Sequence, residues 1–206
     1  MKNLLIIFLF FMLLSCSQNV KQTHFVKHKT NALSDDYLQD VKTPNGKIIK
    51  YKLINDSLYQ IQWGILTYLR TLPDTFILDG HETRIPRYIA ENSKYIVMRY
   101  SCGNPCWGGI FLPLNDSISP IVVPEYLDFD LNDDLVAYIF DTQIIEIINL
   151  KSNKTERHLL EKCDSAFPGY CIENFSIKNK TLKYKWFPET HINSTKGIWK
   201  SEKIKI

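Results

Sequence analysis

A polar turn followed by a short β-like strand that ends on an aromatic residue occurs four times in this chain. Successive aromatics are 37, 40 and 46 residues apart. A repeat of about 40 residues indicates a fold built from one recurring unit of secondary structure. The four segments are residues 54–63, 91–100, 131–140 and 177–186, which end on Trp63, Tyr100, Phe140 and Trp186.

Each of these strands is followed by further β-like runs separated by polar turns. Beyond the N-terminal apolar run, the chain lacks a helical period over ten or more residues. We therefore predict an all-β fold, an antiparallel meander of about four 40-residue units. The following runs are 65–72, 109–114, 144–150 and 197–200, and the first three units add 75–78, 119–123 and 155–160.

The third unit has the clearest strand and turn pattern. Residues 129–138 and 144–155 resemble a degenerate β-propeller blade of the WD40-like or TolB-like type. The resemblance implies a propeller-like arrangement of residues 47–206. The chain lacks the Trp-Asp signature, and its fourth unit is one strand short. A β-sandwich made from the same meander is the alternative, because strands with one apolar face need a second sheet to cover them.

The N-terminus has the pattern of an export signal. Lys2 is followed by an apolar run over residues 4–14, which is too short for a membrane span of about 20 residues. Leu13-Leu14-Ser15-Cys16 resembles the lipobox of bacterial lipoproteins. The resemblance implies a signal peptide over residues 1–15 and lipidation of Cys16. A plain secretory signal with an incidental cysteine is the alternative.

The lipobox resemblance also predicts where the protein lies. Several acyl chains anchor a protein stably, so we expect a lipid-anchored protein of the bacterial cell envelope. Because Ser17 is not aspartate, the periplasmic side of the outer membrane is favoured in a Gram-negative host. Residues 16–44 are mostly polar and are predicted to be a tether, and residues 45–206 a single all-β domain.

Charge and location argue against a nucleic-acid partner. The formal net charge of +3 falls to +2 over 191 residues once the signal is removed. Nucleic-acid binders carry a clustered basic face, whereas the lysines here are scattered, with a mild excess over residues 178–185 and 200–205. We interpret these lysines as the solvated faces of strands.

Four cysteines remain if Cys16 carries lipid. An even number in an exported chain favours disulfides. Three pairings are possible, and the short spacings favour Cys102 with Cys106 and Cys163 with Cys171. A domain of this size has a core large enough to fold without them.

The segment around Cys102 and Cys106 contains the candidate binding surface. The three residues between these cysteines differ from the two of a thioredoxin-like motif, so a structural staple at a hairpin tip is favoured over redox chemistry. Arg99 and Trp107 flank the staple. Both residue types are enriched at binding hot spots, and we predict that they form a contact surface.

Local motifs for catalysis and for metal binding are incomplete in this chain. Residues 128–134 begin like a calcium loop, but Asp133 replaces the required Gly and Ile139 the required Glu. His81-Glu82 has Ile85 where a zinc-protease helix needs its second His. We predict no metal, no cofactor and no catalytic residue, and we favour a protein that is not an enzyme.

The predicted function is a binding or scaffolding module of the envelope. It would be anchored in the membrane through its N-terminal lipid and would bind an envelope protein or glycan. Two alternatives remain, a hydrolase or lyase acting on glycan or peptide, and a protective inhibitor or immunity lipoprotein. No local motif separates the three, because catalytic triads are assembled from distant residues.

Overall fold

A computed structural model describes residues 38–78, 80–103, 106–165, 168–188 and 196–206. The predicted signal peptide, Cys16 and most of the predicted tether lie outside them. The described residues all fall within the compact unit Asn31–Ile206. Among the described residues, the regular structure consists of fifteen strands and two short 3₁₀ turns, Glu82–Arg84 and Pro168–Cys171.

The strands form four antiparallel sheets, and each sheet is a meander of strands consecutive in sequence. The first sheet consists of β1 (Val41–Lys42), β2 (Ile48–Asn55), β3 (Leu58–Ile65) and β4 (Tyr68–Ile77). The second consists of β5 (Arg87–Glu91), β6 (Tyr95–Ser101), β7 (Trp107–Pro113) and β8 (Ile121–Val123). The third consists of β9 (Tyr126–Asp130), β10 (Leu135–Asp141), β11 (Ile144–Asn149) and β12 (Thr155–Leu159). The fourth consists of β13 (Ile172–Lys178), β14 (Thr181–Trp186) and β15 (Ile198–Lys203).

This arrangement confirms the predicted all-β fold and the meander of four units. Each strand of the repeated pattern is an inner strand of its sheet, namely β3, β6, β10 or β14. In the part of the chain that the structure describes, no closed barrel or propeller is found.

Three hydrophobic clusters join the sheets in chain order. Strand β6 shows how, because Tyr95 to Met98 are all buried. Successive side chains of a strand point to opposite faces. Accordingly, Ile96 and Met98 pack in the cluster shared with the first sheet, whereas Val97 packs in the cluster shared with the third. The third cluster lies between the third and fourth sheets and includes Ile147 and Trp186.

Polar contacts reinforce these junctions. The Oγ1 of Thr43 donates to the Oε2 of Glu91 at 2.8 Å, which links the turn after β1 to the end of β5. The ammonium of Lys94 donates to both carboxylate oxygens of Asp134 at 2.9 Å, which links the second and third sheets. Each contact joins neighbouring units that are about 40 residues apart in sequence.

Strand pairing and packing extend before the predicted boundary at residue 45. Val41 pairs with Ile49 in the ladder between β1 and β2, and Leu38 and Val41 pack against the first cluster. The expected separate strand over residues 75–78 is instead the end of β4, which continues past Pro73.

The described residues contain no helix that is long and apolar enough to cross a membrane.

Candidate functional site

The predicted contact surface lies at the tip of the hairpin formed by β6 and β7. Ser101 pairs with Trp107 at the end of the ladder. Beyond this pair, the backbone N–H of Cys102 donates to the carbonyl oxygen of Cys106 at 3.2 Å. A disulfide joins the two cysteines, whose Cα atoms are 5.1 Å apart. Residues 104–105 at the extreme tip lie outside the described part of the chain. The hairpin is thus stapled as the cysteine spacing predicts.

Arg99 and Trp107 lie next to each other on one face of this hairpin. Their ladder partners are Gly109 and Ser101, which places the two side chains diagonally across the strands. The guanidinium carbon of Arg99 is 4.4 Å from the centre of the Trp107 ring, within the range of a cation–π contact. Arg99 is exposed, and 41% of Trp107 is accessible to solvent. The structure therefore brings together the two residues of the predicted surface and leaves both accessible.

Tyr100 lies on the opposite face and belongs to the packing between the first two sheets. Its ring makes an edge contact with Phe76, with centroids 6.4 Å apart. The ring also covers Gly108 so closely that a Cβ atom at this position would collide with it. Burial, with a smaller contribution from Asp74, raises the pKa of the Tyr100 hydroxyl. The tip therefore has one solvent-exposed face, which carries Trp107, and one packed face.

A shallow concavity of about 310 Å³ adjoins the tip at the junction of the first two sheets. Its floor is aromatic, and an arginine adds a positive charge at its edge. The sequence did not indicate it, because it combines residues from three separate segments. It is lined by Thr75, Phe76, Ile77, Arg84, Tyr100 and Ser101.

The Asp-rich segment that begins like a calcium loop has a structural role. Its carboxylates accept backbone N–H groups from the fourth sheet and so hold the third and fourth sheets together. Burial raises the pKa of Asp128, and nearby Asp130 adds a smaller increase. The three contacts are Ile177 N to Asp128 Oδ2 at 2.8 Å, Asn179 N to Asp130 Oδ2 at 3.3 Å, and Lys180 N to Asp133 Oδ2 at 3.0 Å.

A buried carboxylate in the third sheet, that of Glu146, also takes part in hydrogen bonds within the fold. Glu146 accepts hydrogen bonds from the Tyr138 hydroxyl and, at 2.6 Å, from the Nε of Arg157. The guanidinium of Arg157 lies over the ring of Phe140, 4.3 Å from its centre. Burial and then the hydrogen bond to Glu146 raise the pKa of the Tyr138 hydroxyl. This network connects neighbouring strands of one sheet and opens onto none of the concavities described here.

The second pair of cysteines also forms a disulfide. Cys163 and Cys171 are joined with Cα atoms 6.4 Å apart, and Cys171 is fully buried. In the described part of the chain, Cys163, Asp164 and Cys171 are the group whose potential metal-ligand atoms lie close together. Two of these three atoms are disulfide sulfurs. Cysteine binds metal as a thiolate, and these two sulfurs are bonded to each other, so we interpret this group as a structural staple.

Three lysines of the last unit, a region whose lysines were interpreted as solvated, share one face of the fourth sheet. Lys178, Lys183 and Lys203 come from three different strands, and together with hydroxyl side chains they line a concavity. The alternation of lysine with apolar residues at Lys183 and Lys185 is the local signal for an outward face. That signal does not show that β13 and β15 contribute to the same face.

Comparisons with known proteins found no match, so the interpretation of function rests on the residues described above. No protein-family model matches the chain, and no curated protein matches it.

Proposed function

We propose that the protein is a non-enzymatic binding module, lipid-anchored in a bacterial envelope, that contacts an envelope protein or glycan through the stapled β6–β7 tip. The observation that carries the proposal is the exposed pair of Arg99 and Trp107 on a disulfide-closed hairpin. The anchor is proposed from the lipobox that ends at Cys16, which lies outside the described residues.

The rigidity of the tip supports a role in binding. Ordering a side chain at an interface costs about 0.5–1.5 kcal/mol. Here the Arg99 guanidinium already rests on the Trp107 ring, and the disulfide restricts the backbone beyond Ser101. Less conformational entropy is therefore lost when a partner binds. Trp and Arg are also the residue types that dominate measured hot spots.

The hydrogen bonds of two carboxylates favour a binding role over a catalytic one. Asp128 and Glu146 are acidic residues removed at least partly from solvent, as general acids and bases often are. Asp128 accepts a backbone N–H from the fourth sheet, and Glu146 is held by Tyr138 and Arg157. Their hydrogen bonds are therefore used for structure.

Partner capture from envelope extracts tests the proposal. The membrane-bound full chain should capture a discrete partner after chemical cross-linking, and Arg99→Ala with Trp107→Ala should lose most of this capture. The matched control is Lys154→Ala with Leu159→Ala, which removes one exposed cation and one exposed apolar side chain from the third sheet. Undiminished capture by the Arg99 and Trp107 double variant, or equal loss in the control, would refute the assignment of the tip.

A further inference from the structure

The outer face of the fourth sheet carries three lysines in close register. In the ladders, Lys183 pairs with Ser176 and with Ser201. Thr181 pairs with Lys178 and with Lys203 in the same way. Directly paired residues lie on the same face of a sheet. The opposite face packs Leu182, Tyr184 and Trp186 into the hydrophobic core.

These residues line a concavity of about 590 Å³. The lining contains three ammonium groups, three hydroxyls and one amide, with no acidic and no aromatic side chain. It consists of Ser176, Lys178, Asn179, Thr181, Lys183, Ser201 and Lys203.

The lysines of this concavity are available to a ligand. Lys178, Lys183 and Lys203 are exposed. None of them forms an ion pair with an acid among the described residues, whereas Lys94 and Lys200 elsewhere do so. The ammonium of Lys203 donates to the Thr181 hydroxyl at 2.8 Å and retains two further protons for an acceptor.

The charge of the last unit is distinct from that of the rest of the chain. Residues 172–206 contain eight lysines and three acidic residues, a formal charge of +5, although the whole chain carries only +3. Positive charge is therefore concentrated in this unit. Such a concentration attracts anionic ligands and speeds their association.

An exposed aromatic residue extends the same face. Trp199 pairs with Lys185 and lies two residues before Ser201 on β15, so its side chain points to the outer face. It is 62% exposed. An indole ring offers a flat apolar surface with a polar edge, which suits the apolar face of a pyranose ring.

We infer that this outer face binds an acidic glycan, a chain of sugars bearing carboxylate or sulfate groups. The three lysines contact the anionic groups, the serine and threonine hydroxyls contact sugar hydroxyls, and Trp199 stacks on one ring. Charge complementarity and the hydroxyl-lined concavity favour this occupant over an anionic bilayer. A bilayer surface is bound by several protruding apolar side chains beside the charges, whereas the described residues of this face carry one, Trp199, and the lysines surround a polar hollow.

This site is independent of the stapled tip, because Arg99 and Trp107 belong to the second sheet. Its test uses the purified full chain and three fluorescent probes, which are a heparin-derived oligosaccharide, a polygalacturonate oligosaccharide and neutral dextran. Vesicles with anionic lipid serve as a fourth probe. Binding is measured by fluorescence anisotropy at two salt concentrations, since ion pairing weakens with salt.

We expect the two acidic oligosaccharides to bind and dextran not to bind. Lys178→Gln, Lys183→Gln and Lys203→Gln together should weaken binding about tenfold, the scale of three exposed charge pairs. The control variant, Lys52→Gln, Lys151→Gln and Lys154→Gln, removes the same charge from exposed sites on other sheets and should bind normally. Trp199→Ala should weaken oligosaccharide binding without changing its salt dependence.

Three outcomes would overturn the inference. The first is equal weakening in both triple variants, which would indicate attraction by net charge alone. The second is binding to anionic vesicles but not to the oligosaccharides, which would assign the face to a membrane surface. The third is no binding by the folded wild-type chain, checked by circular dichroism. Arg99→Ala with Trp107→Ala should leave oligosaccharide binding intact. The oligosaccharide experiment and the partner-capture experiment therefore test the two sites independently.

Discussion

The carboxylate of Asp128 should contribute to stability through a single hydrogen bond between two sheets. Its Oδ2 accepts the backbone N–H of Ile177 at 2.8 Å. Asp128→Ala leaves that N–H without its acceptor, and an unsatisfied buried donor costs about 1–3 kcal/mol. Because the carboxyl is partly exposed, we expect a loss of about 2 kcal/mol in the free energy of unfolding. Asp128→Asn keeps an acceptor oxygen and should stay within about 0.5 kcal/mol.

Urea unfolding followed by tryptophan fluorescence measures these changes. For a domain of this size, a loss of about 2 kcal/mol corresponds to a fall in melting temperature of roughly 4–8 °C. Asp56→Ala, at an exposed position in the turn between β2 and β3, is the control and should be nearly neutral. The reasoning is refuted if Asp128→Asn is as destabilising as Asp128→Ala, or if Asp128→Ala matches the control.

The same residue should make stability depend on pH. Burial raises the pKa of Asp128 above its ordinary value, so the fold favours the protonated form. Its contribution is therefore greatest below the ordinary aspartate range and decreases as pH rises through the raised value. Asp128→Asn should flatten this decrease when the urea midpoint is measured between about pH 3 and pH 7. An unchanged slope in the variant would contradict the assignment to Asp128.

Three further changes test the tip and the anchor. Gly108→Ala should lower stability by about 1–3 kcal/mol in urea unfolding, because the new methyl group collides with Tyr100; an unchanged midpoint would argue against this close packing. Cys102→Ser with Cys106→Ser should cost about 2 kcal/mol by the loop-entropy relation and should reduce partner capture, and full capture would show that the staple is dispensable. Cys16→Ser should abolish acyl labelling and release the chain from membranes, whereas unchanged membrane retention would exclude lipid anchoring there.

Local patterns predicted most of the strands because side chains alternate between the two faces of a sheet. The segments ending on Trp63, Tyr100 and Trp186 all contain inner strands of their sheets. The pattern missed β1, Val41–Lys42, since two residues are too few to show a period. It also divided β4 at Pro73, although the strand runs from Tyr68 to Ile77.

The two candidate binding surfaces differ in how far the sequence could reveal them. Arg99 and Trp107 are eight residues apart and flank a stapled turn, so hairpin geometry alone brings them together. Lys178 and Lys203 are 25 residues apart. The sequence between β14 and β15 does not predict how these two strands align. Only the ladder from Lys178 through Thr181 to Lys203 places them on one face.

The sequence by itself determined the strand content, the repeat and the two short-range disulfides, because each depends on spacing within one unit. The tertiary structure decided which residues of different units meet. In it, the carboxylates of Asp128 and Asp130 accept hydrogen bonds from backbone N–H groups of the fourth unit. Lysines from β13, β14 and β15 line one concavity. Such contacts depend on the register and packing of whole sheets, which many residues determine together and no local motif encodes.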